Sequence, residues 1–402
     1  MRVLLVADFY PPAPGGLEGH VRRLAHELRR TGHDVAVVAG GGPGRPSIVD
    51  DHGVAVYRAP SGVGLPGAYQ KAGRAFHPPW PQAAFRRALA AAFSRFDPQV
   101  VHAHGWCAFS AAAEARRHGT PVVVTLHDHG LRCPKKTLLR GDRECAHGRG
   151  PRCATCPGDE QGTLKRCVLA AALGATTPAL VARADRFLAV SDHVARRARE
   201  VCRGRVDVVP NFLDPPAGSP GGPVGTDVLY VGPADRHKGL SVLLEAWRIV
   251  ASGHLVVVGA DRPAGVVPPR VTFAGRLGGD PLWARYRSAA LVVVPSIWPE
   301  PCPTVVLEAF AFGRPVIGSN VGGIPDLVDG SSGVLVPPGD PHALAAAIAD
   351  LASDRPGLAA MGRAAHERAA RFTTEAVVAR IVRVYDEVVD TTTSGADRTV
   401  RA

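Results

Sequence analysis

The stretch PEPCPTVVLEA (299–309) sets two carboxylates, Glu300 and Glu308, with seven residues between them. Pro301 and Pro303 stiffen the chain beside the first, and the second falls in an apolar run. The pattern predicts a strand, LVVVPS, then a loop, then a helix starting near Pro303, a residue suited to the first helical position. The two prolines donate no N–H, so the donors at the helix start are those of Thr304 and Val305. With the helix dipole they make an anion site. Glu300 is expected on the loop at the carboxyl end of the strand. Glu308 is expected about one and a half turns into the helix. A carboxylate there can accept bonds from two vicinal hydroxyls, as on a ribose, or serve only as a cap or salt bridge.

A second group of charges lies in LYVGPADRHKGL. Arg236, His237 and Lys238 precede Gly239, which opens a helix, and cations beside a helix start suit a phosphate or diphosphate. The same residues would also serve as a basic surface turn. In YPPAPGGLEGH, Gly15 and Gly16 let backbone approach a ligand closely, or simply turn the chain. Neither this turn nor GGGPGR (40–45) completes the G-x-G-x-x-G dinucleotide fingerprint, which disfavours a nicotinamide-dependent oxidoreductase.

Cys133, Cys145, Cys153 and Cys156 lie in LRCPKKTLLRGDRECAHGRGPRCATCPG (131–158) and end in a C-x-x-C. Four thiolates at this spacing suit a structural zinc, and reduced thiols in a loop are the alternative. Cys107, Cys167, Cys202 and Cys302 read as packing thiols. The insert follows His127 directly and could cover an acceptor.

These residues need elements to hold them. VLLVAD, DVAVVAG, VVHAH, VVVTLH, RFLAVS and RVDVVPN are apolar runs alternating with amphipathic segments such as GLEGHVRRLAHELRRTG. There Val21, Leu24, Ala25 and Leu28 form one stripe and Gly32 ends the helix. That alternation predicts a doubly wound parallel sheet. Ligands of such sheets sit at the carboxyl ends of the strands. His104, His127, Ser191 and Asn211 lie there, with Asp128 beside His127. The linker DPPAGSPGGPVGT (214–226) follows, and the pattern restarts with DVLYVG, HLVVVG, VTFAG, LVVVPS and PVIGSN. The expected fold is α/β, two Rossmann-like domains facing a central cleft. The N-terminal domain spans 1–213 with the insert 131–158, and the C-terminal domain spans 227–375. An amphipathic helix with a frayed tail, 376–402, is expected to return to the N-terminal domain.

The 402 residues carry a net charge of +11, which admits an anionic ligand, an anionic membrane surface or only solvated basic faces. Arg22, Arg23, Arg29, Arg30, Arg86 and Arg87 are the arginines that could touch a membrane. No nucleic-acid-binding signature is present. The first run is too short for a signal peptide, and no unbroken apolar run reaches membrane-spanning length, so the expectation is a cytoplasmic protein, peripheral to the inner membrane at most.

Together, YPPAPGGLEGHVRRLAHELRRTGHDVAVV, VVHAHGW, VVVTLHD, VVPNFLD, VGPADRHKGL, VTFAGRL and PEPCPTVVLEAFAFGRPVIGSNVGGIPDLVDGSSGVLVPPGD resemble the retaining glycosyltransferases of family 4, which have the GT-B fold. The resemblance covers nearly the whole chain. It implies a nucleotide-sugar donor, a UDP- or GDP-sugar, held mainly by the second domain, with a hydroxyl acceptor and no metal needed for catalysis. It implies that Glu300 contacts the donor sugar, Glu308 the ribose and Lys238 the diphosphate. Arg276 and Leu277 would meet the base through their backbone, Gly15 and Gly16 the diphosphate, and His127 the sugar. His104 and Asp128 are expected on the acceptor side. The family's phosphate-loop arginine is replaced by Pro233, and Arg236 stands three residues later as a substitute. A sugar-nucleotide epimerase and a catalytically silent nucleotide-sugar-binding protein remain as alternatives.

Overall fold

The computed structural model describes residues 1–13, 15–42, 47–60, 70–71, 74–141, 143–157, 162–202, 205–214 and 225–400. Most of the expected linker, 215–224, lies outside them. The chain divides into two compact units. One comprises Met1–Gly141, Cys145–Pro210 and Val377–Ala402; the other comprises Asp142–Glu144 and Asn211–Ala376.

The first unit is built on an eight-stranded sheet. Its strands are β1 (Arg2–Ala7), β2 (Asp34–Gly42), β3 (Ser47–Asp51), β4 (Val54–Pro60), β5 (Val100–His104), β6 (Val122–Leu126), β7 (Arg186–Ala189) and β8 (Val206–Val208). Their order is β8-β7-β6-β5-β1-β2-β4-β3. All neighbours are parallel except β3, which runs antiparallel to β4 at the edge. β5 and β6 are buried along their whole length, as strands covered on both faces must be. The connecting helices include α1 (Gly16–Arg30), α2 (Ala83–Phe96), α3 (Ala108–His118), α4 (Thr163–Arg183) and α5 (Asp192–Cys202). α1 buries Val21, Leu24, Ala25 and Leu28, the stripe the sequence marks.

α4 departs from expectation. It has 21 residues, with a mean hydropathy of 1.3 across its best 18-residue window, so by length and composition it could cross a membrane. Lys165 and Arg166 near its start and Thr176, Thr177 and Pro178 inside it break any continuous apolar run, which hides that average from a reading by runs. Leu169, Ala170, Leu173, Thr177 and Leu180 are buried in the unit, while Leu164 and Val168 are exposed.

The second unit carries a six-stranded, all-parallel sheet. Its strands are β9 (Asp227–Val231), β10 (His254–Val258), β11 (Val271–Phe273), β12 (Ala289–Val294), β13 (Val316–Ser319) and β14 (Gly333–Val336). The order is β11-β10-β9-β12-β13-β14. α6 (Leu240–Ile249), α7 (Asp280–Ser288), α8 (Thr304–Ala311), α9 (Ile324–Leu327), α10 (Pro341–Ser353) and α11 (Arg355–Ala369) complete it. Trp247, Leu243, Leu255, Val257, Leu291, Val293 and Ile348 form its core. β14 was not expected. Its Gly333 lies so close to β13 that a Cβ there would stand 2.0 Å from the Val316 carbonyl oxygen.

The last helix, α12 (Thr374–Val400), runs on through the segment expected to fray. Thr391 and Thr392 turn their hydroxyls back onto the carbonyls of Glu387 and Val388, which satisfies them inside the helix. Val377, Val378, Ile381 and Tyr385 are buried.

Candidate functional site

In the second unit the candidate residues stand where the strands end. β12 ends at Val294, and the chain passes through Ser296 to Glu300 before α8. Pro303 is the residue preceding the helix rather than its first, and Thr304 begins it. The Thr304 and Val305 amides are therefore the first donors of a helix that carries no side-chain cap. Glu300 is only 4% exposed. Its Oε1 accepts from Lys238 Nζ at 2.6 Å and from Ser296 Oγ at 2.7 Å. Burial alone would raise its pKa, but the Lys238 ammonium and the Ser296 hydroxyl hold it below the ordinary value of 4.5. Glu300 is thus ionised at neutral pH.

The two loops that meet here are tied by their backbones. Lys238 sits in a single helical turn, Arg236–Lys238, and the Ile297 amide donates to the His237 carbonyl at 3.0 Å. Gly239 has φ +74°, and a Cβ there would stand 1.8 Å from the Pro295 carbonyl oxygen. Gly322 has φ +62°, and a Cβ there would stand 2.5 Å from the Glu300 backbone. The Gly323 amide donates to the Glu300 carbonyl at 2.6 Å. GGIPDLV therefore clamps the glutamate loop, and its first glycine has no substitute. Asn211 donates to the Cys302 carbonyl at 2.9 Å and steadies the same loop.

Pro233 is exposed, and its carbonyl accepts from the Tyr230 hydroxyl at 2.9 Å. Arg236 is exposed too. Glu308 is half-buried, and Tyr286 donates its hydroxyl to Glu308 Oε2 at 2.5 Å. The Tyr286 ring stacks on Phe312 at 5.5 Å. Neither Tyr286 nor Ser296 is marked by the sequence reading. Both sit in apolar or loop segments, and only the folded chain brings them to the glutamates. Arg276 and Leu277 follow Gly275, whose carbonyl accepts from the Gly259 amide at 2.7 Å, which fixes their loop at the ends of β10 and β11.

In the first unit, His104 ends β5 and His127 follows β6. His104 Nδ1 and His127 Nε2 lie 3.0 Å apart. His20, on α1, joins them, its ring 4.7 Å from that of His127. The sequence reading did not single out His20, although it falls in the quoted GLEGH turn. His102 lies behind His104, bonded to Tyr385 and Thr125 at 2.6 Å each. Burial pushes the His104 imidazole well below its usual value and His102 down to about 3, so both are neutral. Gly16 faces open space, whereas a Cβ at Gly15 would stand 2.0 Å from the Glu18 carboxylate. Asp128 lies 3.6 Å from Lys136 Nζ, which also approaches Asp8 at 3.7 Å and covers the Trp106 ring at 4.5 Å. Ser191 caps α5, accepting from the Val194 amide, so its place is structural.

Cys133, Cys145 and Cys156 all come within electrostatic reach of Cys153, as does Cys167. Cys133 and Cys153 are buried, Cys145 and Cys156 half-buried. Cys153 donates its thiol to the Gly148 carbonyl and Cys156 to that of Leu139. Burial pushes Cys133 up to about 11 and also raises Cys153, where the neighbouring cysteines add to the rise. Among the described residues, the one set of three or more His, Cys, Asp or Glu close enough to share an ion is His20, His104 and His127. Basic surface arginines also have partners in their own unit. Arg22 binds Asp51, Arg86 binds Glu114, Arg30 binds Glu27, and Arg29 donates to the His52 carbonyl.

Residues 14–216, just over half of the chain, match the profile "Glycosyltransferase Family 4", and residues 225–354 match "Glycosyl transferases group 1". A D-inositol 3-phosphate glycosyltransferase 1 of Catenulispora acidiphila is 31% identical over 94% of this chain and 91% of its own. A GDP-mannose-dependent alpha-mannosyltransferase of Mycolicibacterium smegmatis is 32% identical over 82% of each chain. The sucrose-phosphate synthase of Thermosynechococcus elongatus superposes with a TM-score of 0.76 at 23% identity, over 97% of this chain and 99% of its own. Two parallel-sheet units, the spaced glutamates and relatives of this extent converge on one conclusion: the chain belongs to the family 4 glycosyltransferases and has the GT-B fold.

Proposed function

We propose that this glycosyltransferase takes its sugar from a nucleotide-sugar donor and passes it to an acceptor hydroxyl with retention of anomeric configuration. The observation that carries the reading is the buried Lys238–Glu300 pair beside the uncapped start of α8. Without donor, the two charges neutralise each other. A donor diphosphate brings its own negative charge to Lys238 and to the Thr304 and Val305 amides. Glu300 is then released to hold the hydroxyls of the sugar. As the glycosidic bond to phosphate breaks, charge grows on the leaving diphosphate, and preorganised donors stabilise it there. Glu308, oriented by Tyr286, is assigned to the ribose hydroxyls. His127 is assigned to the sugar, and His104 and Asp128 to the acceptor side. Retention by front-face attack needs no carboxylate nucleophile, so Glu300 acts as a positioning and electrostatic group.

The relative that uses GDP-mannose supports a GDP-sugar as the first donor to try. The test is a thermal-shift panel of GDP-, UDP-, ADP- and dTDP-sugars, in which the true donor raises Tm by mass action. The donor so identified is then given to Glu300→Ala. Loss of transfer by roughly 10²–10³-fold supports the reading, on the scale of removing a preorganised transition-state contact. Undiminished transfer would exclude it. Donor turnover with no acceptor and release of an epimerised sugar nucleotide would favour the epimerase. Donor binding without turnover would favour a silent binding protein.

A further inference from the structure

His20, His104 and His127 come from three separate places: α1, the last residue of β5 and the first residue after β6. Each offers one ring nitrogen, and the three nitrogens lie within 4.8 Å of one another. His104 Nδ1 and His127 Nε2 are already 3.0 Å apart. Two imidazoles on one tetrahedral zinc, each at about 2.0–2.1 Å, stand roughly 3.3 Å from each other. The His104–His127 pair, hydrogen-bonded to each other, therefore already stands close to ligand spacing, and the third nitrogen lies within 4.8 Å of both. His20 and His104 are 5% and 0% exposed, while His127 is half-buried and gives the side of entry. Nε2 of His104 is buried and makes no hydrogen bond among the described residues. Behind the set, His102 lies 4.2 Å from the His104 ring and is fixed by Tyr385 and Thr125.

We propose that His20, His104 and His127 hold a zinc-class divalent ion through three imidazoles. All three donors are neutral nitrogens, which favours Zn²⁺, Co²⁺ or Ni²⁺ over Mg²⁺ or Ca²⁺. Three protein ligands leave a fourth position for an exogenous group, unlike a closed structural zinc. The ion takes the His127 nitrogen that the proposed function gives to the donor sugar, and it therefore blocks donor binding. That consequence rests on the reading of His127; the metal site itself does not.

The test uses the full chain, stripped with a chelator and titrated with Co²⁺ alone. Imidazole ligation gives only weak visible bands, whereas thiolate ligation adds an intense near-ultraviolet band, so the spectrum separates this site from the cysteine-rich insert. One Co²⁺ per chain is expected, with visible bands that Zn²⁺ abolishes. The bands should survive Cys153→Ser and be lost in His104→Gln and in His20→Gln, each checked for native folding by circular dichroism. A thiolate band alone, or visible bands unchanged in both histidine variants, overturns the proposal. So does absence of binding at millimolar Co²⁺. A second measurement separates the two readings. The thermal shift given by the donor nucleotide-sugar should shrink in saturating Zn²⁺. An unchanged shift with the imidazole spectrum present leaves the metal site standing and removes His127 from the sugar.

Discussion

Tyr286 shows how a single hydroxyl sets the chemistry of a glutamate twenty-two positions away. Its ring is fully buried and stacked on Phe312, so the hydroxyl has one place to point, and Glu308 Oε2 is there at 2.5 Å. Tyr286→Phe keeps the stack and frees the carboxylate to rotate. Nucleotide should then bind about tenfold more weakly, equivalent to about 1.4 kcal/mol. Calorimetric titration with the free nucleoside diphosphate measures this, and unchanged affinity would mean that Glu308 needs no orienting partner. Lys238 offers a second test at this scale. In the native protein Glu300 sits below its ordinary pKa because of Lys238, so its contribution to stability is present above about 4.5 and is lost as pH falls through the depressed value. In Lys238→Met the ammonium is gone, and burial, the largest influence, raises the pKa against the Ser296 and Trp298 hydrogen bonds alone. The glutamate then costs stability as pH rises through that raised value. The gap in Tm between native and variant proteins should therefore widen from pH 4 to pH 7; a gap that stays flat would show that the pair is not coupled in solution. Glu300, Lys238 and His127 were legible as strand-end candidates, because residue type and local spacing mark them. Ser296 and Tyr286 were not, because an ordinary serine and a buried tyrosine gain their roles only through contacts that folding creates.

At the scale of elements, most strands announce themselves as unbroken apolar runs, since a strand covered on both faces has no reason to be polar. β3 does not, because SIVDD at the sheet edge is half-exposed and largely polar outside its centre. β14 is short and opens with glycine, so it reads as a turn until the contact with β13 is seen. The turn before α9 is the element on which the glutamate loop most depends. Gly322→Ala must place a Cβ 2.5 Å from the Glu300 backbone at φ +62°, so backbone has to give way. The expected cost is about 1–3 kcal/mol, together with a fall in transfer rate as Glu300 shifts. Gly278→Ala is the control, since nothing lies within 4 Å of its Cβ position and the change should stay within about 0.5 kcal/mol. Equal urea midpoints for the two variants would show that the clamp is not needed.

At the scale of the whole molecule, the chain leaves its first unit after Pro210 and re-enters it at Val377. That return was expected from an amphipathic final segment, but its anchor was not legible. The anchor is Tyr385, 0% exposed, whose hydroxyl meets His102 Nδ1 at 2.6 Å beneath the histidine set. The partners are 283 positions apart, beyond the reach of any local pattern. Tyr385→Ala removes a buried ring and strips His102 of its partner. The cost should be about 3–5 kcal/mol, as for other large-to-small core changes. Because each unit has its own core, the loss should appear as a lowered first transition in calorimetry rather than as a uniform shift. The second unit holds Lys238, Glu300 and Glu308, so a nucleoside diphosphate should raise the other transition and leave the lowered one in place. Tyr385→Phe, which keeps the ring and deletes only the hydroxyl, should lower the first transition by a smaller amount, about 1–3 kcal/mol for an unsatisfied buried partner. A single transition lowered equally with and without nucleotide would show instead that the two units unfold as one.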